Sequence, residues 1–168
     1  MVTITTLMIK ELRGMTGAGI MASKKALEES QGDIQAAAAA LAVQGLATAA
    51  KKAGRDTTEG VVQSYVHNGS RVAAMVELNC ETDFVARTSE FKALAYDLAM
   101  QVAAMAPLYL DEDEVPEEAD HNPQEVCLLK QSFIRDLDLT VQDLVNEAVG
   151  KLGENIRVRR FARFALGE

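Results

Sequence analysis

The chain has 168 residues, 48% of them apolar and 25% charged, and a formal net charge of -8, enough material for a sizeable core as one domain or as a small domain beside a larger one. No apolar run reaches the ~18 residues of a membrane span, and Met1-Val2-Thr3-Ile4 does not open a secretory signal with a basic flank, so a cytoplasmic protein without a membrane partner is expected. Cys80 and Cys127 form no CxxC pair, and His67 and His121 are too few for a cluster, so packed, reduced thiols, no metal and no cofactor are expected.

Ile4, Leu7, Met8, Leu12 and Met15 recur at helical spacing, and the glycine-rich stretch Gly14 to Gly19 is expected to end that helix. A second helix spans roughly Ile20 to Ser30. Gly32 then Asp33 joins a C-terminal glycine to an N-cap, which predicts a third helix from Ile34 to Gln44 closed by Gly45. Ala36 to Ala40 favours helix but supplies no large apolar stripe, so this three-helix bundle is predicted to be thinly packed and to serve binding rather than support. Ala47 to Arg55, with Lys51 and Lys52, reads as a basic, solvated connector. The chain thus divides into residues 1–54 and 55–168.

The second region opens at Glu59-Gly60, with Val61 to Val66 as a strand. His67-Asn68-Gly69-Ser70 follows, and then Val72, Ala74, Val76, Leu78 and Cys80 alternate with Ala73, Met75, Glu77 and Asn79; Asn-Gly between two such runs predicts a hairpin. The alternation stops at Glu81, and because Thr82 and Asp83 favour turns, Phe84 is expected on a loop at the strand's end, where function concentrates. Thr88 or Ser89 caps a helix whose Phe91, Leu94, Ala95, Leu98, Val102 and Met105 face the core until Pro107. Asp111 to Asp120 holds 7 of the 25 acidic residues, leaving 18 against 17 Lys+Arg elsewhere, and reads as a solvated loop. An EF-hand would need Gly and Glu where Pro116 and Asn122 stand. Asn122-Pro123 predicts a helix through Leu129. Thr140 begins another, with Val141, Leu144, Val145, Ala148 and Leu152 on one face and Gly153 at its end. Asn155 to Phe164 then alternates Ile156, Val158, Arg160, Ala162 and Phe164 against Arg157, Arg159, Phe161 and Arg163 as a final strand. The expected class is α+β, a helical bundle followed by a small antiparallel sheet packed against helices.

No catalytic constellation stands out. There is no glycine-rich phosphate loop, and neither cysteine has a histidine partner in sequence, so the chain is not expected to be an enzyme. Arg157, Arg159, Arg160 and Arg163 with Phe161 and Phe164 raise RNA binding. The basic stretch is short and the chain acidic, so a structural strand with a solvated face is the better reading and no direct nucleic-acid contact is expected.

Arg13-Gly14-Met15-Thr16-Gly17-Ala18-Gly19, Asn79-Cys80-Glu81-Thr82-Asp83-Phe84-Val85 and Asn155-Ile156-Arg157-Val158-Arg159-Arg160-Phe161 together resemble the bacterial elongation factor Ts family, from about Leu7 to Gly167. The resemblance implies nucleotide exchange on the GTPase elongation factor Tu in its GDP form. It implies that Leu12-Arg13, Thr16-Gly17-Ala18-Gly19, Met21 and Lys24-Lys25 belong to a bundle like a ubiquitin-associated (UBA) domain that docks on the partner. Leu12, Arg13, Gly17, Gly19, Met21 and Lys24 are its candidate contacts. Gly45-Leu46-Ala47, Ala50-Lys51-Lys52-Ala53 and Glu59-Gly60 match the family's linker, and Gly153-Glu154-Asn155-Ile156 with Arg159-Arg160 its closing strand. Thr82, Asp83, Phe84 and Val85 match the segment that disturbs the partner's magnesium site. Ala22 and Ala42 depart from the family, where an acidic residue and an Arg are usual. The chain looks like the short form, without the second core subdomain and helical hairpin of longer relatives, and its single small sheet makes a homodimer expected. The alternative reading is a UBA-like adaptor that binds without accelerating exchange.

Overall fold

The computed structural model describes residues 2–168. Three helices open the chain: α1 (Thr6–Thr16), α2 (Ile20–Glu29) and α3 (Ile34–Lys52). Each turn between them is set locally. Gly17, left-handed at φ 65°, ends α1 by donating to the Arg13 carbonyl, and Asp33 caps α3 by accepting from the Ala36 N–H at 3.0 Å. Gly14 therefore lies inside α1, and Gly17 alone closes it. Leu12, Ala26, Leu27 and Ala37 form a small core with Met8, Ile9 and Ile34 against it, whereas Leu7 and Met15 of the predicted stripe are exposed.

The third helix does not stop at Gly45. It continues to Lys52 through the segment expected to be a solvated connector, because its second half is packed. Gly45 meets Gly150 of a later helix, α7 (Val141–Leu152), so closely that a Cβ on Gly150 would lie 3.1 Å from the Gly45 Cα. Ala49 joins the main core four residues on. These contacts override the ~1 kcal/mol that a mid-helix glycine costs.

The main core is built on a three-stranded antiparallel sheet, β1 (Glu59–Val66), β2 (Val72–Cys80) and β5 (Ile156–Ala165), in the order β1-β2-β5. The predicted hairpin is present, with Gly69 and Ser70 as its left-handed residues. Ala74, Val76, Leu78 and Cys80 point inward as their alternation predicts. They are covered by Phe91, Leu94, Leu98 and Val102 of α5 (Ser89–Met105), which Thr88 caps. Met105 ends the stripe exposed. Fully burying a Leu or Phe of this set is worth ~1.5–3 kcal/mol.

Between α5 and α7 the chain differs from its sequence pattern. Asn122 caps and Pro123 starts α6, but this helix covers only Pro123–Val126. Cys127 turns extended there to form a parallel bridge with Tyr109, and Leu128 donates to the Tyr109 carbonyl. A short hairpin, β3 (Ser132–Phe133) and β4 (Asp136–Thr140), was not foreseen. The acidic segment is exposed as expected, with Lys130 3.5 Å from Glu112. Thr140 and Asp143 form a reciprocal capping box on α7, and Gly153 ends it at φ 76°.

In β5 the alternation changes phase. Glu77 pairs with Arg160 but Leu78 with Val158, so Arg159 is an extra residue in the strand, and a bulge moves every later side chain to the other face. Ile156 and Val158 are buried as predicted. Beyond the bulge Phe161 packs on the core and Arg163 donates to the Ala103 carbonyl at 3.1 Å, while Phe164, expected inward, is 71% exposed. The sheet's outer face consequently carries Val62, Val66, Met75 and Phe164 uncovered, beside the pair Arg160–Glu77 at 2.7 Å.

Candidate partner-binding site

Where β2 ends, the chain turns at Glu81 and makes one helical turn, α4 (Asp83–Ala86), before Thr88 starts α5. Phe84 is therefore not on a loop. Thr82 is an N-cap, its Oγ1 facing the Val85 N–H at 3.5 Å, and the Thr88 hydroxyl closes the turn on the Val85 carbonyl at 2.7 Å. Val85 and Ala86 turn inward against the core, which drives Phe84 outward to 80% exposure. Asp83 pairs with Arg87 at 2.8 Å, one turn along the same backbone.

The segment is held from the far end of the chain. Glu154 accepts from the Glu81 and Thr82 N–H groups at 3.1 and 3.0 Å and from the Thr82 hydroxyl at 2.5 Å. Glu81 in return accepts from the Asn155 N–H at 2.7 Å. That hydrogen bond, with Arg55 alongside, holds the Glu81 carboxyl below its ordinary range. Asn155 is buried and donates to the Arg55 carbonyl at 2.8 Å, and Lys52 reaches the Gly153 carbonyl. Beneath the segment, burial pushes the Cys80 thiol up to about 11, so it stays protonated and donates to the Thr82 carbonyl at 3.2 Å. It is a packed thiol rather than a nucleophile. Glu81, Glu154 and Asn155 escaped sequence reasoning as site residues because their partners lie more than 70 residues away.

The bundle residues divide differently. Leu12 is fully buried, so its side chain shapes the bundle from inside and presents nothing to a partner. Arg13 is tied to the Ala18 carbonyl at 3.1 Å, and Gly17 is pressed against Lys151, whose Cε would lie 2.9 Å from a Cβ placed there. Gly19 is the extended N-cap of α2, and Lys24 pairs with Glu28 at 3.7 Å on the surface. Met21, 74% exposed, and its neighbour Ile20 are large apolar side chains that α2 offers to solvent. Ala22 and Ala42 both line one groove of about 490 Å³ between the bundle and α7, walled there by Glu147 and Lys151. Among the described residues, no cluster of His, Cys, Asp or Glu could hold a metal ion, and no helix is long and apolar enough to cross a membrane.

Comparison with known proteins agrees with the residues quoted from the sequence. A family model described as Elongation factor TS matches residues 22–124. Elongation factor Ts of Syntrophomonas wolfei is 49% identical, over 98% of this chain and 91% of its own length. That of Carboxydothermus hydrogenoformans is 48% identical over 98% and 90%, and that of Thermotoga neapolitana 48% over 96% of each. A resemblance first carried by three short motifs thus extends across the whole chain, and the chain belongs to the elongation factor Ts family of translation elongation factors.

Proposed function

We propose that the chain is a guanine-nucleotide exchange factor that binds elongation factor Tu in its GDP form and uses Phe84 to disturb the magnesium and nucleotide site. The observation that supports this most is Phe84 itself, a large apolar side chain held in water on a braced helical turn. Burying it in an apolar slot of a partner returns ~1.5–3 kcal/mol, which can be set against distortion of the slot. Mg²⁺ demands near-ideal octahedral geometry, so small backbone displacements around it are costly to nucleotide binding. The two affinities then weaken each other by the same factor, because coupling between sites is reciprocal. The chain makes and breaks no covalent bond in this role and needs no cofactor. Thr82 and Val85 hold the turn, and Asp83 braces it through Arg87.

In this scheme residues 1–54 supply affinity, through exposed groups such as Met21, and residues 55–168 supply the displacement. Mixing the chain with elongation factor Tu carrying fluorescent GDP tests both parts. Release should accelerate with added factor to a plateau, the half-saturating concentration reporting affinity and the plateau reporting displacement. Binding without acceleration would make the chain an adaptor instead.

The uncovered sheet face supports self-association. Val62, Val66, Met75 and Phe164 form an apolar surface that a second copy would bury, and the three-stranded sheet has two open edges, β1 and β5. Light scattering at micromolar concentration should give twice the chain mass, and Phe164→Asp should give the monomer with an unchanged circular dichroism spectrum. A monomer before substitution would rule the dimer out.

A further inference from the structure

A four-residue helix has no stability of its own, because nucleation fixes several dihedrals before the first hydrogen bond rewards it. In α4 even the cap is weak: the Thr82 oxygen stands 3.5 Å from the Val85 N–H. The direction in which Phe84 points must therefore be imposed from outside: Val85 and Ala86 pack on the core, and the contacts that hold the entry to the turn converge on one carboxylate. Glu154 takes three donors, the N–H groups of Glu81 and Thr82 and the Thr82 hydroxyl, all on the two residues that lead into the turn. Charge-assisted hydrogen bonds of this kind are short and directional. Arg55, which lies beside Glu81 at 3.4 Å, and the end of α3, through Asn155 and Lys52, are attached to the same junction.

We propose that Glu154 is a positioning residue for exchange: it touches neither partner nor nucleotide, and it fixes the direction of Phe84 by clamping the entry to α4 onto the junction between α7 and β5. The clamp also ties the wedge to the last turn of α3, so the bundle and Phe84 are referenced to one point. This rests on the reading of Phe84 as the displacing side chain.

The test is a double-mutant cycle on the full chain with Phe84→Ala, Glu154→Ala and the pair, read by GDP release at saturating factor and by amide hydrogen exchange. Glu154→Ala should lower the plateau rate by about tenfold, the equivalent of ~1.4 kcal/mol. The half-saturating concentration should change little, and amide exchange should rise over residues 81–87 while β2 stays protected. In the Phe84→Ala background the same substitution should cost nothing further, since there is no wedge left to aim; a role in general stability would instead add its cost again. Glu154→Gln keeps the length but replaces charge-assisted hydrogen bonds by neutral ones about half as strong, so it should lower the plateau rate by roughly threefold, half the free-energy loss of Glu154→Ala, and it carries the test if Glu154→Ala folds poorly. Glu154→Ala or Glu154→Gln at the unsubstituted plateau with residues 81–87 newly exchanging, or additive losses in the cycle, would overturn the proposal. Failure of the unsubstituted chain to accelerate release would overturn the exchange reading itself.

Discussion

Phe84→Ala should abolish most of the acceleration of GDP release and leave the fold intact. A single aromatic that supplies the displacement behaves as a hot spot, and its truncation removes ~2 kcal/mol or more of the stabilisation of the nucleotide-loosened state. That corresponds to roughly a thirtyfold loss of exchange efficiency, since each ~1.4 kcal/mol is a factor of ten. The stability side follows from exposure. A core Phe truncated to Ala would cost ~3–5 kcal/mol, but 80% of Phe84 already faces water, and its neighbours Val85 and Ala86 provide the contacts with the core. An exposed substitution of this kind stays within ~0.5 kcal/mol. Measuring the melting temperature and GDP release on one Phe84→Ala sample separates the two effects. Release at the unsubstituted rate would show that the displacing group lies elsewhere.

A large effect on stability is expected at Gly60, outside the hydrophobic core. Gly60 is the second residue of β1, pairs with Asn79 and has φ 155°. A Cβ there would overlap the Leu78 carbonyl oxygen and come within 2.8 Å of the Asn79 Cα. Both obstacles are backbone, so no side chain can rotate away, and β1 must separate from β2 just where β2 passes into the Phe84 turn. Backbone strain of ~1–3 kcal/mol and overpacking of ~1–3 kcal/mol together make Gly60→Ala about 3 kcal/mol or more destabilising. At roughly 2–4 °C per kcal/mol for a chain of this size, the melting temperature should fall by about 6 °C or more. Gly14→Ala is the control. Gly14 lies inside α1 with open space around it, so alanine there should stabilise by roughly 0.5–1 kcal/mol. Equal melting temperatures for the two variants would refute the steric account.

How far each part of the molecule could be read in advance follows from how far its deciding contact lies along the chain. Asp33, Thr88, Asn122 and Thr140 cap helices through N–H groups two or three residues away, Gly153 closes a helix within its own last turn, and Val72 to Cys80 declare a buried face by alternation alone. These features were legible because donor and acceptor share one short stretch, and the sequence also singled out Phe84 by the abrupt end of that alternation. The remainder was settled in three dimensions. Gly45 was a reasonable stop for α3 until Gly150 came to lie against it, and the phase of β5 past Arg159 depended on a register with β2 that no single strand contains. Thr82 and Asp83 have turn propensity in any chain. That they begin a helix with an aromatic facing solvent depends on contacts made in three dimensions: Val85 and Ala86 pack inward on the core, and Glu154, 72 residues on, takes the Thr82 N–H that the short turn leaves free.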